Sequence, residues 1–173
     1  MSGVPNDHYA SVPNSTMADS QSVAQPGAAA PPAPLSILVV DDDRVVGQLL
    51  AEGLAVMGHA VAVAQSADEA WHALQDRPDI GVVVSDIRMP GSTGLDLALD
   101  VVTRIEDARA ASIILVTGHA TREEAATALR LGATDVLRKP CRLAELVSAA
   151  EKGLEKARSR RSGAQRAAEP API

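Results

Sequence analysis

From Leu35 onward the chain reads as five short aliphatic runs, each followed by a stretch with apolar residues at helical spacing. The runs cover residues 35–40, 59–64, 80–85, 112–117 and 134–137. They are nearly unbroken in Val, Ile, Leu and Ala, the pattern of parallel strands buried on both faces. Between the first two, Val46, Leu49, Leu50, Gly53, Leu54 and Met57 recur at helical spacing, and Gly58 sits where a helix would stop. The second helical stretch opens SADE and the fourth TREE, so Ser66 with Glu69 and Thr121 with Glu124 read as capping boxes. The third carries Leu95, Ala98, Val101, Val102 and Ile105, and the fifth Leu143, Leu146, Val147, Ala150 and Leu154. Five strands alternating with five helices predict an α/β fold, a (βα)5 doubly wound five-stranded parallel sheet with helices on both faces.

The rest of the chain is organised around that block. Residues 1–34 hold six of the eleven prolines and are expected to be a disordered Pro/Ala-rich arm. Residues 35–155 form the expected domain, and 156–173 a flexible basic tail. With no Phe, one Trp and one Tyr, the core must be aliphatic. The block 35–154 carries 11 basic and 18 acidic side chains, a poor surface for direct nucleic-acid binding. No apolar run approaches the roughly 18–20 residues needed to span a bilayer. The start of the chain lacks the features of a secretory signal, and a single Cys fits a reducing compartment. A cytoplasmic protein is expected.

In open α/β sheets, functional groups gather at the carboxyl ends of the strands. Here the first run ends in Asp41, Asp42 and Asp43, the third in Asp86, the fourth in Thr117, and the fifth is followed by Lys139. Each has a bland reading as a turn former, cap or surface charge, but together they place four carboxylates, a hydroxyl and an ammonium at one sheet edge. Two carboxylates ~5 Å apart repel by about 3 kcal/mol at an effective dielectric near 20, so such a cluster calls for a cation. Hard oxygen ligands suit Mg²⁺, with Mn²⁺ as an alternative. His59, His72 and His119 fall in separate elements, which disfavours zinc. A divalent ion with a Lys and a hydroxyl suits phosphoryl transfer, yet the chain has no GxxxxGK[ST] and no GxGxxG after the first strand. A carboxylate that itself accepts the phosphoryl group, Asp86, is the economical alternative.

The motifs ILVVDDD, SDIRMPG, LVTGHA and RKP occur in the order and at about the intervals seen in the receiver domain of two-component response regulators, which residues 35–155 resemble. The resemblance implies the flavodoxin-like fold and a function as phosphoacceptor rather than as an enzyme acting on other molecules. Asp86 would be the phosphorylated residue. Mg²⁺ would be held by Asp42 and Asp86 directly, by Asp41 through water, and by the backbone carbonyl of Arg88. Lys139 would contact the phosphoryl oxygens, and Thr117 would be the switch hydroxyl. Arg88 and His119, each two places beyond a site residue, would tune phosphate lifetime, with the small Gly118 leaving access. The donor would be a sensor histidine kinase or histidine phosphotransfer protein. A downstream target would dock on the face of the fourth helix, fifth strand and fifth helix, where homodimers also form in this family.

Two departures stand out. The aromatic switch position is Val136, which has no ring to rotate. After the fifth helix only EKARSRRSGAQRAAEPAPI follows, which leads to the expectation of a stand-alone receiver without an output domain. One alternative is a pseudo-receiver, a docking module that does not use phosphorylation. Another is a haloacid-dehalogenase-like phosphatase, with Asp41 as nucleophile in DDDRV. That second family needs a late acidic motif, and only Glu145, Glu151, Glu155 and Glu169 follow Lys139. Trp71 and Cys141 read as packing and helix-start residues.

Overall fold

The protein is described by a computed structural model, which defines residues 34–106, 109–118 and 121–168. The elements alternate throughout: β1 (Ser36–Val40), α1 (Arg44–Val56), β2 (Val61–Ala64), α2 (Ala67–Asp76), β3 (Ile80–Asp86), α3 (Gly94–Arg104), β4 (Ser112–Thr117), α4 (Arg122–Arg130), β5 (Asp135–Arg138) and α5 (Leu143–Ala168). The strands form one parallel sheet in the order β2-β1-β3-β4-β5. The expected doubly wound α/β fold is therefore observed. The direction of winding reverses between β1 and β3, so the crevice beyond their carboxyl ends is where this topology places a site.

The unbroken aliphatic runs divide by parity. Ile37, Val39, Val82, Val84, Ile114 and Val116 face α1 and α5, packing with Ala51, Leu54, Leu146, Ala150 and Leu154. Leu38, Val40, Val83, Ile113 and Leu115 face the other way, onto Ala70, Leu74, Leu97, Val101 and Ala128 of α2, α3 and α4. Period-two alternation thus survives inside a run that hydropathy alone renders uniform. Fully burying one such Val, Leu or Ile contributes about 1.5–3 kcal/mol, so these two layers dominate the stability.

Three details differ from the sequence reading. The box expected at Ser66 is modified: Ser66 Oγ accepts from Glu69 N, but the Glu69 carboxylate accepts from Gln65 N rather than from Ser66. A reciprocal box unforeseen in the sequence opens α3, between Thr93 and Asp96. The largest difference is at the end of the chain. Residues 156–168, expected as a flexible basic tail, continue α5 as helix, with Ala157 fully buried. Arg161 explains the continuation. Its guanidinium donates to the carbonyls of Pro78 (2.7 Å), Ile80 (2.6 Å), Arg109 (3.1 Å) and Ala110 (2.9 Å), below the amino ends of β3 and β4. Residues 1–33 lie outside the described residues.

Candidate functional site

The DDD triplet that follows β1 sends its three carboxylates to different tasks. Asp43 caps α1, accepting from the backbone N–H groups of Val45 (2.9 Å) and Val46 (3.2 Å). Asp41 is buried, and its Oδ1 accepts from Asp43 N at 3.0 Å. Asp42 stays exposed to solvent. Asp86 is the last residue of β3, paired in register with Val116. Its Oδ1 accepts from Arg88 N at 3.1 Å, which holds the carboxylate at the start of the loop into α3. That loop is compact because Gly94 lies against it. A Cβ at Gly94 would collide with the carbonyl oxygen of Asp86, and Gly94 N donates to Ile87 O at 3.0 Å.

Lys139 joins the two acidic strand ends. Its Nζ lies 2.7 Å from Asp41 Oδ2 and 2.8 Å from Asp86 Oδ2. It follows β5, its backbone N–H donates to Thr117 O at 2.8 Å, and its peptide bond to Pro140 is cis. Burial opposes its charge, but the hydrogen bonds to Asp41 and Asp86, together with the negative charge of the two carboxylates, raise the ammonium above its ordinary pKa of 10.5. It therefore stays protonated at neutral pH.

Asp41, Asp42 and Asp86 each present a carboxylate oxygen, all within 4.8 Å of one another. Among the described residues, Lys139 bonds into the cluster through Asp41 and Asp86. Three hard oxygen donors with excess negative charge fit a small divalent cation such as Mg²⁺, and the donor chemistry excludes a soft-metal centre.

The other expected residues divide in their placement. Thr117 ends β4 and is buried. A Cβ at Gly118 would meet nothing within 4 Å, so open space adjoins that position. Val136 pairs with Leu115 and packs, half-buried, against the α2–α4 layer. The Arg88 side chain is mostly exposed and reaches Glu124 Oε1 at 3.6 Å. His119 lies outside the described residues.

A profile of the family described as the response regulator receiver domain matches residues 37–151. The chain belongs to that family. The receiver is 36% identical over 144 residues to the C4-dicarboxylate transport transcriptional regulatory protein DctD of Rhizobium meliloti, covering 80% of this chain and 30% of that protein. It is 37% identical over 116 residues to the response regulator MprA of Mycolicibacterium vanbaalenii, covering 66% and 48% respectively. The chain thus spans half or less of these two relatives, whose whole-protein activities are their own. Among solved structures, a response regulator receiver protein from Pseudomonas putida superposes with a TM-score of 0.63 at 36% identity, covering 69% of this chain and 98% of that one. A receiver domain from Clostridium thermocellum gives 0.66 at 28%, covering 72% and 97%.

Some parts of the receiver's site escaped sequence reasoning. The capping role of Asp43 was hidden within an acidic triplet. The Gly94 approach was signalled only by the small residues of GSTG. The contact between Arg88 and Glu124 joins the β3–α3 loop to the first turn of α4 and has no sequence signature.

Proposed function

We propose that the receiver takes a phosphoryl group from a phosphohistidine of a sensor histidine kinase or histidine phosphotransfer protein onto Asp86. A carboxylate oxygen of Asp86 attacks phosphorus, the phosphorus–nitrogen bond breaks, and the imidazole leaves with its electron pair. Asp42, Asp86 and the backbone carbonyl of Arg88 would hold Mg²⁺, or Mn²⁺ in its place, with Asp41 acting through water. The bound ion supplies positive charge that offsets the phosphoryl oxygens. The Lys139 ammonium adds a second, fixed positive charge beside Asp86, already in place before reaction. Thr117 provides a hydroxyl at the neighbouring strand end for the phosphorylated state. Arg88, Gly118 and His119 would tune the lifetime of the product.

The observation that carries this reading is the ammonium of Lys139 bonded to two carboxylates from adjacent strand ends. A docking module needs no such convergence of part-buried charge, which is costly to assemble. Because Val136 is already packed and has no ring, signal output runs through backbone and helix shifts around α4 and β5 rather than through a rotating aromatic. The face of α4, β5 and α5 is the proposed surface for a downstream protein or a second copy. A cytoplasmic site fits this chemistry, and among the described residues no helix is long and apolar enough to cross a membrane.

The test is incubation with acetyl phosphate and Mg²⁺, followed by intact mass measurement. A gain of one phosphoryl group, lost without divalent ion and lost in Asp86→Asn, is expected. No gain under conditions that label a known receiver would leave the docking module as the better account.

A further inference from the structure

The Glu124 carboxylate divides its two oxygens between two loops. Oε2 accepts from Thr121 N at 2.8 Å, the reciprocal half of the box that caps α4. Oε1 faces Arg88 Nη2 at 3.6 Å, across from the loop that follows Asp86. The same Arg88 donates its backbone N–H to Asp86 Oδ1. A side chain rooted two residues from the proposed phosphoacceptor is thereby tied to the first turn of α4.

Phosphorylation changes the competition for that guanidinium. A phosphoryl group brings a charge of about −1.5 to −2 and three strong acceptor oxygens. Arginine binds such oxygens in bidentate fashion, in shorter and stronger hydrogen bonds than neutral pairs make. Glu124 and the phosphoryl group are then rival acceptors for one donor. With Arg88 held on Glu124, its guanidinium is kept off the phosphoryl oxygens. With Arg88 on the phosphoryl oxygens, the guanidinium covers the approach of water to phosphorus.

We infer that Glu124 is a positioning residue that shortens the lifetime of the aspartyl phosphate by holding the Arg88 guanidinium away from it. The inference rests on the reading of Asp86 as phosphoacceptor. The step affected is hydrolysis: a water oxygen attacks phosphorus, the bond from phosphorus to the Asp86 oxygen breaks, and the carboxylate leaves with the electron pair. Inorganic phosphate and a proton pass to solvent.

The experiment measures the half-life of the phosphoryl group in wild type, Glu124→Gln, Arg88→Ala and the double variant. Glutamine retains the side-chain oxygen that accepts from Thr121 N, so the α4 cap persists while the charge is lost. Amide exchange across α4 verifies the cap. Glu124→Gln is expected to lengthen the half-life by roughly 1.5- to fivefold, the scale of an exposed ion pair, and to have no effect in the Arg88→Ala background. The lengthening should shrink as salt is raised, because salt weakens the pair in wild type. An unchanged or shortened half-life in Glu124→Gln would overturn the inference, as would equal lengthening in both backgrounds. Absence of any phosphoryl group on wild-type Asp86 would instead overturn the reading beneath it.

Discussion

One ammonium stands against two carboxylates at the mouth of the crevice, and that imbalance is the chemical character of the site. Lys139 balances Asp41 or Asp86 but not both, and Asp42 adds a third negative charge nearby. At the opposite edge of the sheet the charges are matched. Arg77 Nη2 meets Asp79 Oδ2 at 2.8 Å, and Ser36 Oγ donates to the same oxygen at 2.6 Å. The Arg77 hydrogen bond, then that of Ser36, holds the Asp79 carboxyl below its ordinary value of 3.8 despite partial burial. A carboxyl depressed in the folded state stabilises above its unfolded pKa, and the contribution is lost as pH falls through the folded value. Asp79→Asn should therefore be less stable than wild type near pH 6. The gap should close as pH drops below 3.8, as read by urea denaturation at each pH. A gap that stays constant into strong acid would show that Asp79 acts through shape and not charge.

At the scale of elements, the sequence was most informative where one residue type repeats at a fixed period. The three central strands were legible because parallel strands buried on both faces must be aliphatic throughout, and the part-buried edge strands β2 and β5 carry shorter runs of the same kind. Their ends, where Asp41, Asp86, Thr117 and Lys139 sit, were legible because polar residues break those runs abruptly. What was not legible depends on single side chains reaching across the fold. The length of α5 is the clearest case. Residues 156–168 have the composition of a solvated tail, and only the four carbonyls around Arg161 show why the helix persists. Those carbonyls come from segments some 50 and 80 residues away in sequence, so no local pattern announces them. Burial lowers the Arg161 pKa first, with Arg109 acting in the same direction, so neutral carbonyls carry much of its satisfaction. Arg161→Met should lower stability by about 2 kcal/mol, since hydrogen bonds from a charged donor are each worth more than neutral ones. It should also raise amide exchange in the last two turns of α5. Unchanged stability with unchanged exchange would mean that helix packing through Ala157 suffices.

On the scale of the whole domain, the two ends of the sheet have opposite duties. The amino edge is tied by Arg161 and by Arg109, whose Nη2 donates to Leu74 O (2.8 Å) and Gln75 O (2.7 Å). The carboxyl edge holds the carboxylates of Asp41, Asp42 and Asp86. A ligand that binds only the folded state stabilises by mass action, about 2.7 kcal/mol at a hundredfold excess over its dissociation constant. Saturating Mg²⁺ should accordingly raise the melting temperature of wild type, and chelator should reverse it. In Asp42→Asn the rise should be much smaller. An equal rise in that variant would place the ion elsewhere on this acidic surface.

The central claim is that Asp86, and not a carboxylate of the Asp41–Asp43 triplet, carries the phosphoryl group. Reduction of the acyl phosphate with borohydride converts the modified aspartate to homoserine, which peptide mass mapping then locates. The account predicts homoserine at position 86 alone, formed only after treatment with phosphodonor and Mg²⁺. Homoserine at position 41 would contradict it, and would make the DDDRV segment the nucleophile of a phosphatase-like reaction.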